Sequence, residues 1–402
     1  MKICQICKQK TCGKLIDFGK HPVCHKFTDG KEKEELYPLD LGQCHSCGLV
    51  QLMSPIPVSK LVPLYDWISY NEPEEHLDHL VDIIKKLPGI TKDSAICGVS
   101  YKEDTTLTRF NQLGFKNTWR VDMNKDLGIS DTKSNLESIQ QNLRPSIINS
   151  IHKKYGVPDL IIVRHILEHT HNTLEFMSAL KKLVNPSGYI IFEVPDCVGG
   201  FEKFDYTTIW EEHILYFTNS TFKMCLETGK FSIHHFEKYD YSFESVLIGI
   251  VKPNNVNNKL KSTMLEKDIL TSEIKRVQLF AQKLTQKKID VKKFLEKIKR
   301  KKDNVVMFGT GHAACMFINL LEVRNLIDFA VDDNQNKTGF YMPGSKLPIY
   351  NSQSLIENKT NLCLLGLSSE SEKKIVNKLQ GFEERGGVFA SIYPTSKYSM
   401  QI

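Results

Sequence analysis

Short apolar runs alternate with amphipathic segments over most of the chain. The runs at 94–99, 159–164 and 188–194 have the length and the β-branched content of buried parallel strands. Between the last two, the segment 173–184 carries apolar residues at helical spacing. Because strands and helices alternate, we predict a doubly wound α/β sheet in the middle of the chain.

A second unit of the same type follows, with apolar runs at 304–309, 327–333 and 362–367. Before it, Pro and Asn residues interrupt the pattern at 252–259 and predict a linker. Beyond this linker, six apolar residues recur at helical spacing among charged ones and predict amphipathic helices between the two units: Met264, Ile269, Ile274, Val277, Leu284 and Phe294.

The chain therefore divides into four parts. They are a Cys-rich opening, an α/β domain, a helical connector and a second nucleotide-binding-like domain, predicted at 1–60, 61–251, 252–302 and 303–402. A length of 402 residues is too great for one hydrophobic core, which agrees with several domains.

Composition narrows the class of protein. With 41% hydrophobic and 25% charged residues, and without an apolar run of membrane-spanning length, the chain reads as globular and without a membrane partner. The lysines concentrated in 286–302 lack the aromatic platforms of nucleic-acid binders, so we expect a solvated helix face and no nucleic-acid partner. The opening residues lack the apolar core of a signal peptide. We expect a cytoplasmic protein that is a monomer or a weak homodimer.

Two cysteine pairs predict a metal site. Cys4 and Cys7 form one C-x2-C pair, and Cys44 and Cys47 form another. Two such pairs complete a tetrahedral site for Zn²⁺ that leaves no open position, so the metal is expected to be structural. Four neighbouring residues remain alternative ligands: Cys12, Cys24, His25 and His45.

Five longer segments carry a resemblance to a known family: LIDFGKHPVCHKF (15–27), YPLDLGQCHSCGLVQL (37–52), KKLVNPSGYIIFEVPD (181–196), TIWEEHILYF (208–217) and VDDNQNKTGFYMPGSKLPI (331–349). They resemble the nucleotide-sugar C-methyltransferases. This resemblance implies a zinc-binding N-terminal domain, a class I S-adenosylmethionine methyltransferase domain and a C-terminal Rossmann-like domain.

The resemblance also implies a reaction. A base removes the proton beside the ketone of a nucleotide-linked sugar, and the enolate attacks the methyl group of S-adenosylmethionine. The family's Tyr-x-Glu-His segment matches Trp210, Glu212 and His213, with His213 as the base and Glu212 as its support. Trp210 keeps an N–H donor but cannot act as an acid. His169 matches a second functional histidine, with His165 and His171 close by. For the histidines, the alternative is a packing or capping role, and for Glu212 it is a plain surface carboxylate.

Other residues are candidates for ligand contacts. In the loop after the first strand, residues 98–107, the positions that hold an acidic residue and two glycines in the family's cofactor loop hold other residue types. Asp122, at the end of the second strand, would hold the cofactor's ribose. The remaining candidates for the cofactor are Ser100, Thr105 and His165, and those for the substrate are Tyr70, Gly309, Gly311 and His312.

Three functions stay open on the sequence. The first is a C-methyltransferase-like enzyme that acts on a nucleotide-linked keto sugar. The second is an epimerase- or isomerase-like enzyme that transfers a proton without the cofactor, which the missing glycines favour. The third is a non-catalytic binding subunit of a glycan pathway, which the retained histidines oppose.

Overall fold

The computed structural model describes residues 1–68, 72–131, 133, 135–254, 264–300, 304–358 and 360–402. In chain order the described strands are β1 (Cys12–His21), β2 (Tyr37–Cys44), β3 (Val50–Leu52), β4 (Ile96–Gly98), β5 (Thr118–Arg120), β6 (Leu160–Arg164), β7 (Tyr189–Asp196), β8 (Leu215–Tyr216), β9 (Phe231–Tyr239), β10 (Ser245–Pro253), β11 (Asn304–Phe308), β12 (Phe329–Val331), β13 (Ile349–Tyr350), β14 (Thr360–Leu365) and β15 (Val388–Ser391).

The described helices are α1 (Val58–Leu61), α2 (Leu77–Ile84), α3 (Asp104–Gln112), α4 (Leu136–Asn142), α5 (Ile148–Tyr155), α6 (Thr173–Leu183), α7 (Val198–Glu202), α8 (Asn219–Thr228), α9 (Lys267–Lys299), α10 (His312–Leu320), α11 (Ser354–Glu357), α12 (Ser369–Lys378) and α13 (Gln380–Glu383). Within the described ranges, no helix is both long enough and apolar enough to cross a bilayer.

The middle sheet has the order β5-β4-β6-β7-β10-β9. Its first four strands are parallel, and β10 pairs antiparallel with both β7 and β9. Every residue of β6 and β7 is buried, as the unbroken apolar runs predicted. The carboxyl ends of β4, β6 and β7 therefore meet at one edge, where α/β folds bind their ligands.

The C-terminal sheet has the order β13-β12-β11-β14-β15, and all its strands are parallel. This is the doubly wound arrangement that the second set of apolar runs predicted. The α/β class, with two nucleotide-binding-like sheets, is thus confirmed.

The N-terminal sheet is antiparallel and is completed from outside its own segment. Its order is β1-β2-β3-β8, and β8 follows the middle domain's Trp210–His213 segment directly. Val50 pairs with Tyr216 and Gln51 pairs with Leu215. The Cys-rich opening is thereby joined to the part of the chain that carries the predicted base.

One helix, α9, connects the two α/β units. It buries Val277 and Phe280 against the rest of the protein, and Phe280 stacks on Tyr206 of the middle domain. The predicted apolar face is only partly correct, because Met264 precedes the helix and is exposed, as is Ile269. The predicted linker also begins later than expected, since β10 continues to Pro253.

Candidate active site

The four predicted cysteines come together at the base of the N-terminal sheet. Their sulfur atoms all lie within 4.8 Å of one another. The Sγ atoms of Cys4 and Cys47 are 3.7 Å apart, and those of Cys7 and Cys44 are 3.6 Å apart. Four sulfurs bound tetrahedrally at about 2.3 Å from one Zn²⁺ would be separated by about 3.8 Å. The cluster therefore has the size of a four-thiolate zinc site.

Each cysteine pair sits on a tight turn that requires a left-handed residue. Lys8 has φ 59° and its N–H donates to the carbonyl of Cys4, while Gly48 has φ 75° and its N–H donates to the carbonyl of Cys44. At Gly48 a side chain would also approach Glu273 of α9, whose Cβ is 3.1 Å from the ideal Cβ position. The turns thus point both thiols of a pair toward one centre.

The alternative ligands lie elsewhere. The Sγ of Cys12 is 3.5 Å from the Sδ of Met53, and the Sγ of Cys24 accepts a hydrogen bond of 3.1 Å from the indole Nε1 of Trp210. His25 Nδ1 is 2.6 Å from a carboxylate oxygen of Glu212. Cys24 and His25 thus belong to the contact between the N-terminal sheet and the middle domain.

The segment 210–213 lies where the three domains meet. Its turn is closed by a hydrogen bond of 3.1 Å from His213 N–H to the carbonyl of Trp210, and the Tyr216 hydroxyl bonds both the N–H and the carbonyl of Trp210. From the C-terminal domain, the His312 ring stacks on the Trp210 indole with centroids 4.4 Å apart. Trp210 therefore contributes an aromatic face to the site, since its indole N–H donates to the Sγ of Cys24.

His169 and His213 are adjacent in this site. Their ring centroids are 4.7 Å apart and the rings are nearly perpendicular, at 84°. His169 Nδ1 lies 2.7 Å from a carboxylate oxygen of Glu137, which fixes the orientation of the imidazole. His169 is buried, whereas His213 is half-buried. The structure thus brings the two predicted catalytic histidines together.

The surroundings move the pKa values of the two histidines in opposite directions. Burial, together with the nearby His169 and His312, holds the pKa of His213 well below its usual range. Burial alone would also lower the pKa of His169, but the Glu137 carboxylate outweighs it and raises that pKa. Two titratable groups with separated pKa values form a natural base and acid. The surroundings therefore favour the neutral form of His213 and the protonated form of His169.

The Glu212 carboxylate lies between two domains. One of its oxygens is 2.6 Å from His25 Nδ1 of the N-terminal domain, and it also lies within 4.8 Å of His169 and Glu137 in the histidine site. Burial and the neighbouring carboxylates of Glu137 and Glu211 raise the pKa of Glu212 well above its usual range, while burial lowers the pKa of His25. Glu212 therefore supports the site through His25, and the carboxylate that orients a catalytic histidine is Glu137.

The C-terminal domain presents an open glycine turn to this site. Gly309 has φ 92° and packs closely on the carbonyl of Gly366, where a Cβ would come within 2.7 Å. Gly311 is the N-cap of α10 and makes no side-chain cap, and a Cβ placed there would meet no atom within 4 Å. His312 follows in the first turn of α10, and burial lowers its pKa to about 4.

The corresponding turn of the middle domain is filled. After β4, the Ser100 hydroxyl accepts a hydrogen bond of 3.1 Å from Lys102 N–H, and the Glu103 carboxylate accepts from Ser100 N–H. The Glu103 side chain is fully buried against Gly98, whose ideal Cβ would come within 2.9 Å of the Glu103 Cβ. The N–H groups of Ser100 and Lys102 are thus bonded by side chains of the same turn.

A buried ion-pair network lies beside this turn. Arg164, at the end of β6, donates two hydrogen bonds to the Glu193 carboxylate, at 2.7 and 3.2 Å, and one of 2.7 Å to the carbonyl of Lys102. His165 Nε2 and His76 Nε2 lie 2.9 and 3.2 Å from the Glu193 oxygens. His165, predicted to contact a cofactor, is therefore held inside the protein by a carboxylate.

A second ion pair extends the network toward the histidines. Lys102 Nζ lies 2.7 Å from Glu72, and the Lys102 side chain is only 7% exposed. Burial opposes the charge of Glu72, but Lys102 and His165 outweigh it and lower its pKa to about 2. We call the set Glu72, Lys102, Glu103, Arg164, His165 and Glu193 the buried network.

The other predicted ligand residues are more peripheral. Asp122 follows β5, and its Oδ1 accepts the N–H groups of Asn124 and Lys125 at 3.0 and 2.8 Å. Thr105 is exposed and its hydroxyl donates to Glu74 at 2.6 Å. Tyr70 lies outside the described residues. Asp122 thus caps a turn, and Thr105 lies on the outer face of α3.

Three family models match successive parts of the chain. The model described as "Putative zinc binding domain" matches residues 4–61, the one described as "Methyltransferase domain" matches 100–235, and the one described as "C-methyltransferase C-terminal domain" matches 251–394. The C-methyltransferase NovU of Streptomyces niveus is 21% identical over 403 aligned residues, which cover 96% of this chain and 94% of NovU. The chain is thus similar to the C-methyltransferases over nearly its whole length. It is accordingly an enzyme with a methyltransferase domain, as the sequence predicted.

Two solved methyltransferases are similar to about half of this chain. An O-methyltransferase family protein from Burkholderia thailandensis is 9% identical, with 46% of this chain and 59% of that chain covered and a TM-score of 0.29. The 1,6-didemethyltoxoflavin-N1-methyltransferase from the same organism, solved with S-adenosylhomocysteine, is 10% identical, with 51% and 96% covered and a TM-score of 0.27.

The family implies S-adenosylmethionine, which class I domains bind at the carboxyl ends of the first strands. Binding there needs free backbone N–H groups in the turn after β4 and room beside them. In this chain, Ser100 and Glu103 already accept hydrogen bonds from those N–H groups, and the adjoining space holds the Arg164–Glu193 pair. The residues present therefore do not fit the cofactor in this position.

Several functional residues were missed by sequence reasoning. Glu137 lies in a segment without a clear pattern, so the sequence carries no signal for its contact with His169. Arg164 and Glu193 do have a signal, because each is a charged residue that interrupts the apolar run of a buried strand. A charge in such a run must find a partner inside the protein.

Proposed function

We propose that this protein removes the proton beside the ketone of a nucleotide-linked keto sugar, with His213 as the base. The observation that carries the proposal is the perpendicular His169–His213 pair, whose surroundings lower the pKa of one imidazole and raise that of the other. The proposal agrees with the matching C-methyltransferase model and with the relative named a C-methyltransferase.

In this mechanism each residue has one task. The unprotonated ring nitrogen of His213 takes the proton from the carbon beside the ketone, so that a C–H bond breaks and an N–H bond forms. The electron pair moves into an enolate, whose oxygen is stabilised by the positive charge of His169. Glu137 holds His169 in orientation through Nδ1. Such preorganised charge is usually the largest part of the stabilisation of an oxyanion.

The open turn of the C-terminal domain is suited to the nucleotide. The backbone at Gly311 has no side chain, and the first N–H groups of α10 have no side-chain cap. A helix N-terminus of this kind binds phosphate groups. Because His312 stacks on Trp210, a diphosphate at this turn would lie next to the histidine pair. We therefore assign Gly309, Gly311 and His312 to the nucleotide diphosphate.

The zinc has a structural task in this proposal. Cys4, Cys7, Cys44 and Cys47 would hold one Zn²⁺, which closes the N-terminal sheet. That sheet pairs through β3 with β8, which is continuous with the segment 210–213. The metal thereby supports the position of His213 from a distance, without contact with the substrate.

The test is exchange of the hydrogen beside the ketone with solvent deuterium, in nucleoside diphosphate 4-keto-6-deoxyhexoses. We expect His213→Gln to lower the exchange rate by about 10²–10⁴-fold, since this is the usual contribution of a positioned base. His79 is exposed, so His79→Gln is a matched control that should leave the rate unchanged. Full exchange in His213→Gln together with loss in His169→Gln would reverse the two assignments.

The pH dependence of the exchange rate gives a second test of His213 as the base. Because the pKa of His213 lies well below 6.5, the base is already unprotonated at that pH. The acidic limb of the exchange rate should therefore lie below pH 6.5. A limb above neutral pH would contradict the assignment of His213 as the base.

A further inference from the structure

The buried network occupies the place where class I methyltransferases hold their cofactor. It joins the end of β4, through Lys102 and Glu103, to the ends of β6 and β7, through Arg164 and Glu193. These are neighbouring strands of one parallel edge. The cleft that opens at such an edge is therefore bridged by side chains of this chain.

The bridging groups are satisfied by one another. Both oxygens of Glu193 accept from Arg164, and both oxygens of Glu103 accept backbone N–H groups, those of Ser100 and Arg164. Arg164 and Glu193 are each no more than 1% exposed. A cofactor that entered here would have to separate charges that are paired away from water, which is strongly unfavourable.

The backbone of the turn after β4 also takes part in this network. The carbonyl of Lys102 accepts from Arg164, and its N–H donates to the Ser100 hydroxyl. The capping box of Ser100 and Glu103 carries the chain directly from β4 into α3. A turn that binds a carboxylate or a ribose needs these backbone groups free.

We infer that the buried network is a permanent filling of the cofactor place, and that this enzyme returns the abstracted proton to carbon instead of adding a methyl group. The inference rests on the proposed function, because it concerns the fate of the same enolate. The substrate class is unchanged, and the product is an isomer of the substrate.

The reaction balances without a further reactant. His213 breaks the C–H bond and becomes protonated while the ketone becomes an enolate. Return of the proton by His213 regenerates the ketone with a hydrogen exchanged from solvent. Protonation of the opposite face of the enolate by a water molecule forms the C–H bond with inverted configuration, and the resulting hydroxide takes the proton from His213. Nothing is oxidised or reduced.

The experiment uses the full-length, zinc-loaded protein and two measurements. Equilibrium dialysis with radiolabelled S-adenosylmethionine and S-adenosylhomocysteine should detect no binding with a Kd below about 1 mM. Incubation of nucleoside diphosphate 4-keto-6-deoxyhexoses in deuterium oxide should give products heavier by deuterium and not by a methyl group. The exchange rate should be the same, within about twofold, with and without S-adenosylmethionine.

The outcomes separate the inference from the proposed function. A product heavier by a methyl group, or stoichiometric binding of S-adenosylhomocysteine, overturns the inference and leaves His213 as the base. A bound keto sugar that neither exchanges nor is methylated overturns the proposed function, and the inferred proton return fails with it. Exchange in the absence of cofactor binding supports both.

Discussion

Two turns of this protein occupy equivalent positions in two similar α/β folds. They differ in whether side chains bond their backbone N–H groups. Each follows the first strand of a parallel sheet and leads into a helix, one at Ser100–Glu103 and one at Gly309–Gly311. In the first, side chains accept the backbone N–H groups and a buried carboxylate fills the space. In the second, the helix start is uncapped and Gly311 borders open space.

The comparison indicates that a nucleotide-binding fold can bind a ligand only at a turn whose backbone N–H groups are not bonded by side chains. Glycine allows this at Gly311, since even a methyl group would stand between the N–H groups and a phosphate. Ser and Glu at the other turn form a capping box, which stabilises the helix by satisfying the same N–H groups. Trp210 lies between the two turns and is stacked by His312 from the open one.

The largest expected effect comes from removing the zinc, because the N-terminal sheet that it closes pairs with β8 beside the segment 210–213. Cys44→Ser should lose the zinc and abolish deuterium exchange, because structural zinc contributes about 10–16 kcal/mol of apparent binding free energy. Metal analysis of the purified protein should fall from one zinc per chain to none. Cys12→Ser is the matched control and should retain the metal. Retention of zinc by Cys44→Ser would contradict the four-cysteine site.

The free energy of unfolding should depend strongly on the buried charges beside the filled turn. Glu193→Gln leaves Arg164 without its carboxylate, and breaking a buried pair typically costs about 3–5 kcal/mol of the free energy of unfolding. Urea unfolding measures this loss. The control is Lys14→Gln, at an ion pair whose side chains are 49% and 57% exposed, where we expect a change below about 0.5 kcal/mol. Equal effects of the two changes would show that the network does not hold the turn.

A substitution in the open turn should lower the affinity for a ligand and leave the free energy of unfolding nearly unchanged. Gly311→Ala introduces a methyl group that meets nothing in the protein, so the free energy of unfolding should change by less than about 1 kcal/mol. Affinity for a nucleoside diphosphate, measured by titration calorimetry, should fall about tenfold through one lost hydrogen bond to a charged group. Ser100→Ala, the matched change in the filled turn, should leave this affinity unchanged. The reverse pattern would exchange the roles of the two turns.

The stability of the filled turn should also depend on pH. Burial lowers the pKa of His165, but Glu72, Glu168 and Glu193 outweigh it and raise the pKa to about 10. A raised histidine pKa contributes stability that is complete below its unfolded value near 6.5 and is lost as the pH rises through about 10. The free energy of unfolding should therefore decrease between pH 7 and 10. His165→Gln should flatten this slope, and an unchanged slope would contradict a charged His165.

Most of the architecture could be predicted because its signals are local. The runs 159–164 and 304–309 became β6 and β11, since an unbroken apolar run can be satisfied only inside a sheet. The two C-x2-C pairs met because each is a single turn with a fixed geometry. The face of α9 was predicted less well, as the exposed Ile269 shows, because it depends on which domains pack against the helix.

The candidate site could be predicted only in part. His169, Trp210, His213 and His312 were named from the sequence and lie together in the structure. The carboxylate that orients His169 was not, because Glu137 reaches it from a distant segment without a recognisable motif. Glu212 was expected to support the base, and its carboxylate contacts His25 and also lies within 4.8 Å of a ring nitrogen of His169.

The sequence by itself determined the strands and the cysteine pairs, and it showed that the cofactor loop had lost its glycines. It did not determine which side chains fill the turn after β4, or in which direction the pKa of each catalytic histidine candidate is moved. The tertiary structure decided both, because the energy of a charge inside a protein depends on partners that are remote in sequence. Arg164 has Glu193 as its partner, and His169 has Glu137, and both contacts exist only in the folded chain.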